Sequence, residues 1–362
     1  VKIKIQQFLG ANYSWAIVGQ NLARAFIKSG HEVDLFSTDG VQYLPPDLKP
    51  YLKSIPEAEY PMQLSYTAFR NFPNYLKNGN KNRFGIWTYE FDGKNSLPSG
   101  FAKNYKECDQ ILPPSQFAKQ VFINSGIPEN HLTVVPHGVN AEEILSAHPY
   151  PLKTKKNFKL FVNVAQVHKR KNLFGLLEMF GRAFTKTDDV CLVIKVHEKK
   201  PTQLFEVNFQ EIFNDFKQKY KNHAEIEIIR QFVPNIYSLY KSCDAAFSAS
   251  YTEAFGMTGL EAQAAGLFNI APNYGGFLDF LNEENSLLIE GKEFFVKPDM
   301  VYWSYQPGSK AFMPNIDSGV EKLKHAYANK DSLKEKAQLL APSILEKYSW
   351  DKIGDQILGL VK

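Results

Sequence analysis

Ser250-Tyr251-Thr252-Glu253-Ala254-Phe255-Gly256-Met257-Thr258-Gly259-Leu260-Glu261-Ala262-Gln263-Ala264-Ala265-Gly266 is the stretch on which the reading of this chain turns. It sets one carboxylate, Glu253, in a loop, then a glycine-flanked turn, then a second carboxylate, Glu261, in an alanine-rich helix. The run Cys243-Asp244-Ala245-Ala246-Phe247-Ser248 just before it reads as a short buried strand, so the unit is strand, loop, helix. A helix that begins near Met257 or Thr258 points backbone N–H groups at the loop, where an anion such as a diphosphate can settle. Glu261, one turn into that helix, can accept hydrogen bonds from hydroxyls, while Glu253 reaches a different part of the same ligand. The pattern suits a sugar joined to a phosphate.

The Phe255-Gly256 pair, the small residues and the closing Ala264-Ala265-Gly266 fall in register with the two glutamates. Together they resemble the E-x7-E signature of retaining glycosyltransferases of the family 4 type. Two glutamates at this spacing carry no weight alone, because solvated helix faces hold such pairs routinely. The resemblance implies an α/β chain with the GT-B fold, two Rossmann-like doubly wound domains facing across a cleft. It covers nearly all of the chain but is concentrated between residues 225 and 276, with weaker support at 132–140 and 160–180.

Composition agrees. At 362 residues the chain is too long for one ordinary core, and two domains are expected. A hydrophobic content of 44% with 22% charged residues is that of a folded protein. No apolar run is long enough to span a bilayer and no signal-peptide pattern is present, so a cytoplasmic chain is expected. Cys108, Cys191 and Cys243 are scattered and odd in number, which argues against a disulfide framework or a zinc site. The net charge of +4 permits weak contact with an anionic lipid surface, at the inner face of a membrane, and calls for no nucleic acid. The eight histidines contain no HxH, HxxxH or HExxH spacing, and no Asp-x-Asp motif occurs; no metal is expected.

The N-terminal domain is expected over residues 1–145 as the acceptor side. Lys2 to Leu9 alternates like a strand, and Val18, Leu22, Ala25 and Phe26 then share a helix face that closes at Gly30, before a strand at residues 31–36. Ligands of such open parallel sheets bind beyond the carboxyl ends of the strands, where Gly10 and Ala11 lie. The absence of a G-x-G-x-x-G argues against a nicotinamide-type grip; the loop is a plain tight turn or, as the resemblance implies, touches the donor phosphate or the acceptor. Strands are expected at residues 85–90, 107–112 and 132–140, the last ending in Pro136-His137-Gly138-Val139-Asn140. Members of the resembling family carry an acceptor-side histidine after a middle strand. Here Trp87-Thr88-Tyr89-Glu90 stands instead, leaving Glu90 and His137 as acceptor candidates, each with a bland alternative as a solvated carboxylate or a core histidine. The proline- and lysine-bearing stretch 141–157 is the expected boundary.

The donor-side domain is expected over residues 155–335, with 336–362 as a C-terminal helical segment packing back toward the first domain. Phe158 to Val164 reads as its first strand, followed by Val167-His168-Lys169-Arg170-Lys171-Asn172 and a helix carrying Leu173, Leu176, Leu177 and Phe180. Basic residues before a helix can neutralise a diphosphate or can be a solvated turn. The resemblance favours the first and places a basic pair here, with Lys171 as its second member. Gln166 occupies the first place, a departure that leaves Arg170 to supply the charge or the role to be divided among Lys169, Arg170 and Lys171. The segment around Val233 resembles the turn whose backbone meets the nucleotide base. Residues 290–318 break the alternation, as a lid or a peripheral flap.

The resemblance implies a nucleotide-sugar donor and a glycan or lipid-linked acceptor, with no further cofactor. Its catalytic set maps onto Glu253, Arg170 and Lys171, and its donor set onto Gly10, Ala11, Gln166, Val233, Phe255, Gly256, Met257, Thr258 and Glu261. Glu253→Ala is then expected to abolish turnover with the fold intact, and Glu261→Ala to weaken donor binding. The alternatives are a sugar-nucleotide-binding or assembly protein without turnover, or an epimerase or phosphorylase on the same scaffold.

Overall fold

The computed structural model describes all residues except 11–13, 43, 55–58, 68–70, 77–81, 99, 165–166, 197–206 and 301–304. Ala11 and Gln166 of the expected donor set lie outside the described residues. The chain divides into two compact units. In order, the first contains β1 (Lys2–Gln7), α1 (Ser14–Lys28), β2 (Glu32–Ser37), β3 (Met62–Tyr66), α2 (Phe72–Tyr75), β4 (Arg83–Ile86), β5 (Gln110–Leu112) and α3 (Gln116–Asn124). There follow α4 (Ala141–Ser146), β6 (Phe158–Val164), α5 (Leu173–Ala183), β7 (Val190–Val196), α6 (Phe209–Lys219), β8 (Glu225–Ile229), α7 (Tyr237–Lys241) and β9 (Ala245–Phe247). The chain closes with α8 (Met257–Ala264), β10 (Phe268–Pro272), β11 (Ser286–Ile289), β12 (Gly291–Phe295), β13 (Lys310–Pro314), α9 (Ile316–Ala328), α10 (Lys330–Lys347) and α11 (Trp350–Leu358).

Among the described residues the first unit holds a parallel sheet in the order β2-β1-β3-β4-β5. Its elements form where the periodicity places them: Ala16, Val18, Leu22, Ala25 and Phe26 of α1 are buried, and Gly30 ends the turn after the helix at φ +80°. Three expected strands are shorter or absent. The one at 107–112 is reduced to β5, because the backbone up to Glu107 is still in a short 3-10 turn. β4 stops at Ile86, because its partner β5 ends at Leu112 and is followed by Pro113-Pro114, which bring no amide to continue the ladder. Residues 132–140 run extended beside β5, with Thr133 N donating to Ile111 O and Val135 N to Pro113 O, but no regular strand forms. The unit is completed by the end of the chain, Glu346–Lys362. Ser349 caps α11 through Lys352 N, and α11 buries Trp350, Ile353 and Ile357.

The second unit carries the parallel sheet β11-β10-β9-β6-β7-β8, beginning at Ala141 and including Lys310–Leu345. The strand alternation splits this sheet into two surfaces. Phe158, Leu160, Val162 and Val164 of β6 join Val190, Leu192, Ile194 and Val196 of β7 in the main core, against Leu177 and Phe180 of α5 and Leu323 of α9. The intervening positions, Phe161 and Asn163 on β6 and Ala246 on β9, face the site described below. Within 290–318, β12 and β13 form an antiparallel hairpin. Phe312 N donates to Tyr251 O at 2.9 Å and the Phe294 and Tyr251 rings meet edge to face, which ties the hairpin to the loop before α8.

The fully buried Ile357 offers a direct check on the assignment of α11 to the first unit's core. Truncation by Ile357→Ala is expected to cost roughly 2–5 kcal/mol in denaturant unfolding. A change within about 0.5 kcal/mol would mean that α11 does not pack there.

Candidate active site

The site is built on the strand ends of the second unit. β9 leads into the loop Ser248–Gly256, and α8 begins at Met257. Gly256 occupies the N-cap at φ +89°, and a Cβ there would come within 2.4 Å of the Phe277 ring. With glycine at this position no side chain caps the helix, so the first-turn amides face the loop. The loop is pressed from the other side by the turn after β10. Gly276 N donates to Glu253 O at 2.8 Å, and a Cβ on Gly276 would meet the Ala254 carbonyl oxygen at 2.2 Å.

Glu253 is the centre of the arrangement. Arg170 Nη1 lies 2.7 Å from its Oε2, and Lys171 Nζ lies 2.6 Å from its Oε1. The Arg170 and Glu253 side chains are only 7% and 10% exposed, whereas Lys171 keeps 23%. Burial alone would lift the Glu253 carboxyl, but the Arg170 and Lys171 charges and hydrogen bonds outweigh it and hold the group at about 2. Arg170 Nη1 also donates to Thr252 O at 2.6 Å, and Tyr251 N donates to Arg170 O at 2.8 Å, so the two loops are joined by backbone as well as by charge.

The basic loop is itself held in shape. His168 Nδ1 accepts from Arg170 N at 3.0 Å; burial first, and then the Arg170 and Lys171 charges, keep this imidazole neutral at about 3. Asn172 adopts a left-handed conformation at φ 48°. Its side chain accepts from Gly175 N to cap α5 and donates to Ala249 O at 3.0 Å. Of the three consecutive basic residues only two serve Glu253. Lys169 turns away and pairs with Asp299 at 2.6 Å.

Glu261 lies one turn into α8, half-buried, and its Oε2 accepts from Tyr240 OH at 2.9 Å. Burial, with a smaller push from the Glu143 charge, lifts this carboxyl to about 7 against the pull of its tyrosine partners. Lys171, Glu253, Thr258 and Tyr240, together with Asn163 and Ser248, line a concavity of about 550 Å³, counting its space open to solvent. The expected Phe255 is near but turned inward: its ring is buried against Phe280 at 5.4 Å, leaving only backbone for a ligand. Val233 is buried in the loop between β8 and α7. In the first unit Gly10 N donates to Asp39 Oδ1 at 2.8 Å, Glu90 is half-buried, and His137 is 4% exposed. Among the described residues no three His, Cys, Asp or Glu side chains are grouped to hold a metal ion, and no helix is long and apolar enough to cross a membrane. The residues missed at the sequence level are His168, Asn172, Tyr240 and Gly276. A signal existed only for the last, as a Gly-Gly pair just after a strand.

The family model described as glycosyl transferases group 1 matches residues 147–297. An uncharacterized glycosyltransferase of Methanocaldococcus jannaschii is 22% identical over 283 residues, 76% of this chain and 65% of that protein, so the chain spans just under two thirds of the length of this relative. Among solved structures, a glycosyltransferase from Rickettsia africae superposes with a TM-score of 0.73 at 18% identity, covering 100% of this chain and 98% of that one. Anabaena HepE in complex with UDP and glucose gives a TM-score of 0.71 at 12% identity, covering 99% and 98%. The fold is GT-B, an α/β architecture with two Rossmann-like domains.

Two outcomes follow from the ion pairs. Glu253→Ala strands the buried Arg170 guanidinium, so a stability loss of roughly 3–5 kcal/mol is expected in denaturant unfolding. The double variant Glu253→Ala/Arg170→Ala should lose clearly less than the sum of its singles, and strict additivity would deny the pairing. For Glu261 the folded carboxyl binds its proton more tightly than the ordinary value of 4.5, so its stabilising contribution is full below about 4.5 and is lost as pH rises through about 7. Glu261→Gln should therefore flatten the fall in melting temperature between pH 5 and 8; an unchanged slope would place the group's titration elsewhere.

Proposed function

We propose that the chain is a retaining, metal-independent glycosyltransferase of the family 4 type, moving a hexose-type sugar from a nucleoside diphosphate to a hydroxyl of a glycan, glycolipid or related acceptor. The observation that carries this reading is the buried Glu253 carboxylate held by Arg170 and Lys171 beside a helix start that no side chain caps. The match to the glycosyl transferases group 1 model over residues 147–297 supports it, because that segment contains the whole arrangement.

The chemistry follows from charge. As a sugar leaves a nucleoside diphosphate, positive charge grows at the anomeric carbon and negative charge at the departing phosphate. Fixed donors at that phosphate lower the barrier. The Met257 and Thr258 amides and the Lys171 ammonium supply them, with Lys171 exchanging its bond to Glu253 for one to phosphate. This cation and helix start take the place that a metal ion would fill. Glu253, held at about 2, stays ionised at every working pH, so it is a poor proton acceptor and a good electrostatic partner for the sugar. The departing phosphate is then the base that takes the acceptor proton, on the face the donor leaves, and configuration is retained. Glu261, in its ionised form, accepts the hydroxyls of the ribose. The chain acts in the cytoplasm, at the inner membrane face where the acceptor is lipid-linked. The HepE structure holds UDP and glucose, which makes UDP-sugars the first donors to try.

Thermal-shift titration with UDP, GDP and ADP, then with the sugars of whichever binds, tests the reading. One nucleotide should raise the melting temperature, by about 2.7 kcal/mol of stabilisation at a hundred times its Kd. Its sugar should release nucleotide slowly in water and faster with an acceptor, and Lys171→Ala should lose most of that release. Absence of any shift, or binding with no release in the presence of acceptors, would reject turnover.

A further inference from the structure

The β12–β13 hairpin has no part in the chemistry proposed above, yet the segment that carries it touches three loops of the candidate site. Both of its strands belong to the second unit. Phe294 pairs with Ala311 and Phe312 with Glu293, so the two phenyl rings leave the hairpin on opposite faces. On one face Phe294 meets the Tyr251 ring edge to face at 5.4 Å. On the other, the Phe312 ring stacks on that of Tyr274, with centroids 5.2 Å apart and planes 9° from parallel. The edge of β13 is used as well, because Phe312 N donates to Tyr251 O at 2.9 Å. Just beyond β12, Asp299 takes Lys169 of the basic loop at 2.6 Å.

Two of these ties meet in Phe312 and lead to Glu253. Tyr251 stands two residues before Glu253, and Tyr274 two residues before Gly276, whose N–H donates to Glu253 O at 2.8 Å. The packing between them leaves no slack. Gly275 holds φ +77°, and a Cβ there would lie 2.9 Å from Glu253 O; one on Gly276 would lie 2.2 Å from Ala254 O. The Phe312 ring is buried and confined, since a Cβ on Gly291 would come within 2.7 Å of it. A close-packed interior transmits displacement, so a shift of this ring passes through Tyr274 and the glycine pair to the Glu253 backbone. Arg170 and Lys171 fix the Glu253 carboxylate, and the backbone that carries it is fixed from the hairpin side.

We propose that the β12–β13 hairpin is a strap that sets the position of Glu253, with Phe312 as its positioning residue, ring against Tyr274 and amide to Tyr251. The effect of the strap on turnover rests on the transferase reading above; the strap itself does not. In that reading the start of α8 holds the diphosphate, so loss of the strap lowers turnover more than nucleotide affinity.

Amide hydrogen exchange, followed by NMR on the full chain without ligand, tests the strap. Phe312→Leu should speed exchange at Gly276 at least about tenfold more than at the β6 and β7 amides, whereas a plain loss of global stability would speed all of them alike. Tyr274→Leu should repeat the pattern, and Tyr274→Phe, which keeps the ring, should behave as the parent chain. With UDP-glucose, or the donor that the thermal-shift screen selects, both leucine variants should lose at least about tenfold in kcat while their Kd for the nucleoside diphosphate stays within about twofold, and Tyr274→Phe should keep the parent rate. A melt of each variant confirms that it is folded. Uniform exchange across Gly276 and the core sheet, a loss of nucleotide affinity as large as the loss of kcat, or an unchanged kcat in folded Phe312→Leu would overturn the strap. Faster exchange confined to Gly276 in a chain that turns over no nucleotide sugar would sustain the strap while removing the transferase reading.

Discussion

Everything at the second unit's site hangs on one buried ion cluster, Glu253 between Arg170 and Lys171. A carboxylate this enclosed would favour its neutral form without those cations, and the guanidinium would be equally costly without the carboxylate. Each therefore requires the other, and the loops that carry them must stay joined. The remaining local structure serves that junction: Asn172 holds Ala249, Arg170 holds Thr252, Gly276 holds Glu253, and Phe312 holds Tyr251. Lys171, more exposed than Arg170, is the member that the proposed mechanism asks to change partners.

The sheet explains why such a cluster can exist without weakening the core. β6 and β7 send every second side chain into one apolar layer with α5 and α9, while the other positions on the sheet are left for polar and aromatic groups beside α7 and α8. Parallel strands also end together, so loops far apart in sequence arrive at one edge. That is how residue 170 reaches residue 253.

Much of this was legible in the chain and part was not. The strand, loop and helix around Glu253 and Glu261 follow from local pattern, and so does the turn at Gly30. The division of labour among Lys169, Arg170 and Lys171 could not be read, because a tight helical turn sends three consecutive side chains about 120° apart and only the fold decides what each meets. Tyr240 was hidden for a similar reason, as its bond to Glu261 crosses from α7 to α8. β4 was read too long because alternation continues past Ile86, whereas a strand needs a partner and Pro113-Pro114 ends the one beside it. His137, an acceptor candidate because it ends the strand before the linker, has its ring packed inside an aromatic row that the sequence could not show.

The most direct test is a crystal structure of the chain with a tightly bound nucleoside diphosphate, refined without reference to this site. The account requires the diphosphate within hydrogen-bonding distance of the Met257 and Thr258 amides and of Lys171 Nζ, the ribose at Glu261, and the bond between Arg170 and Glu253 preserved. A nucleotide seated away from the start of α8, with Lys171 still bound to Glu253, would contradict it.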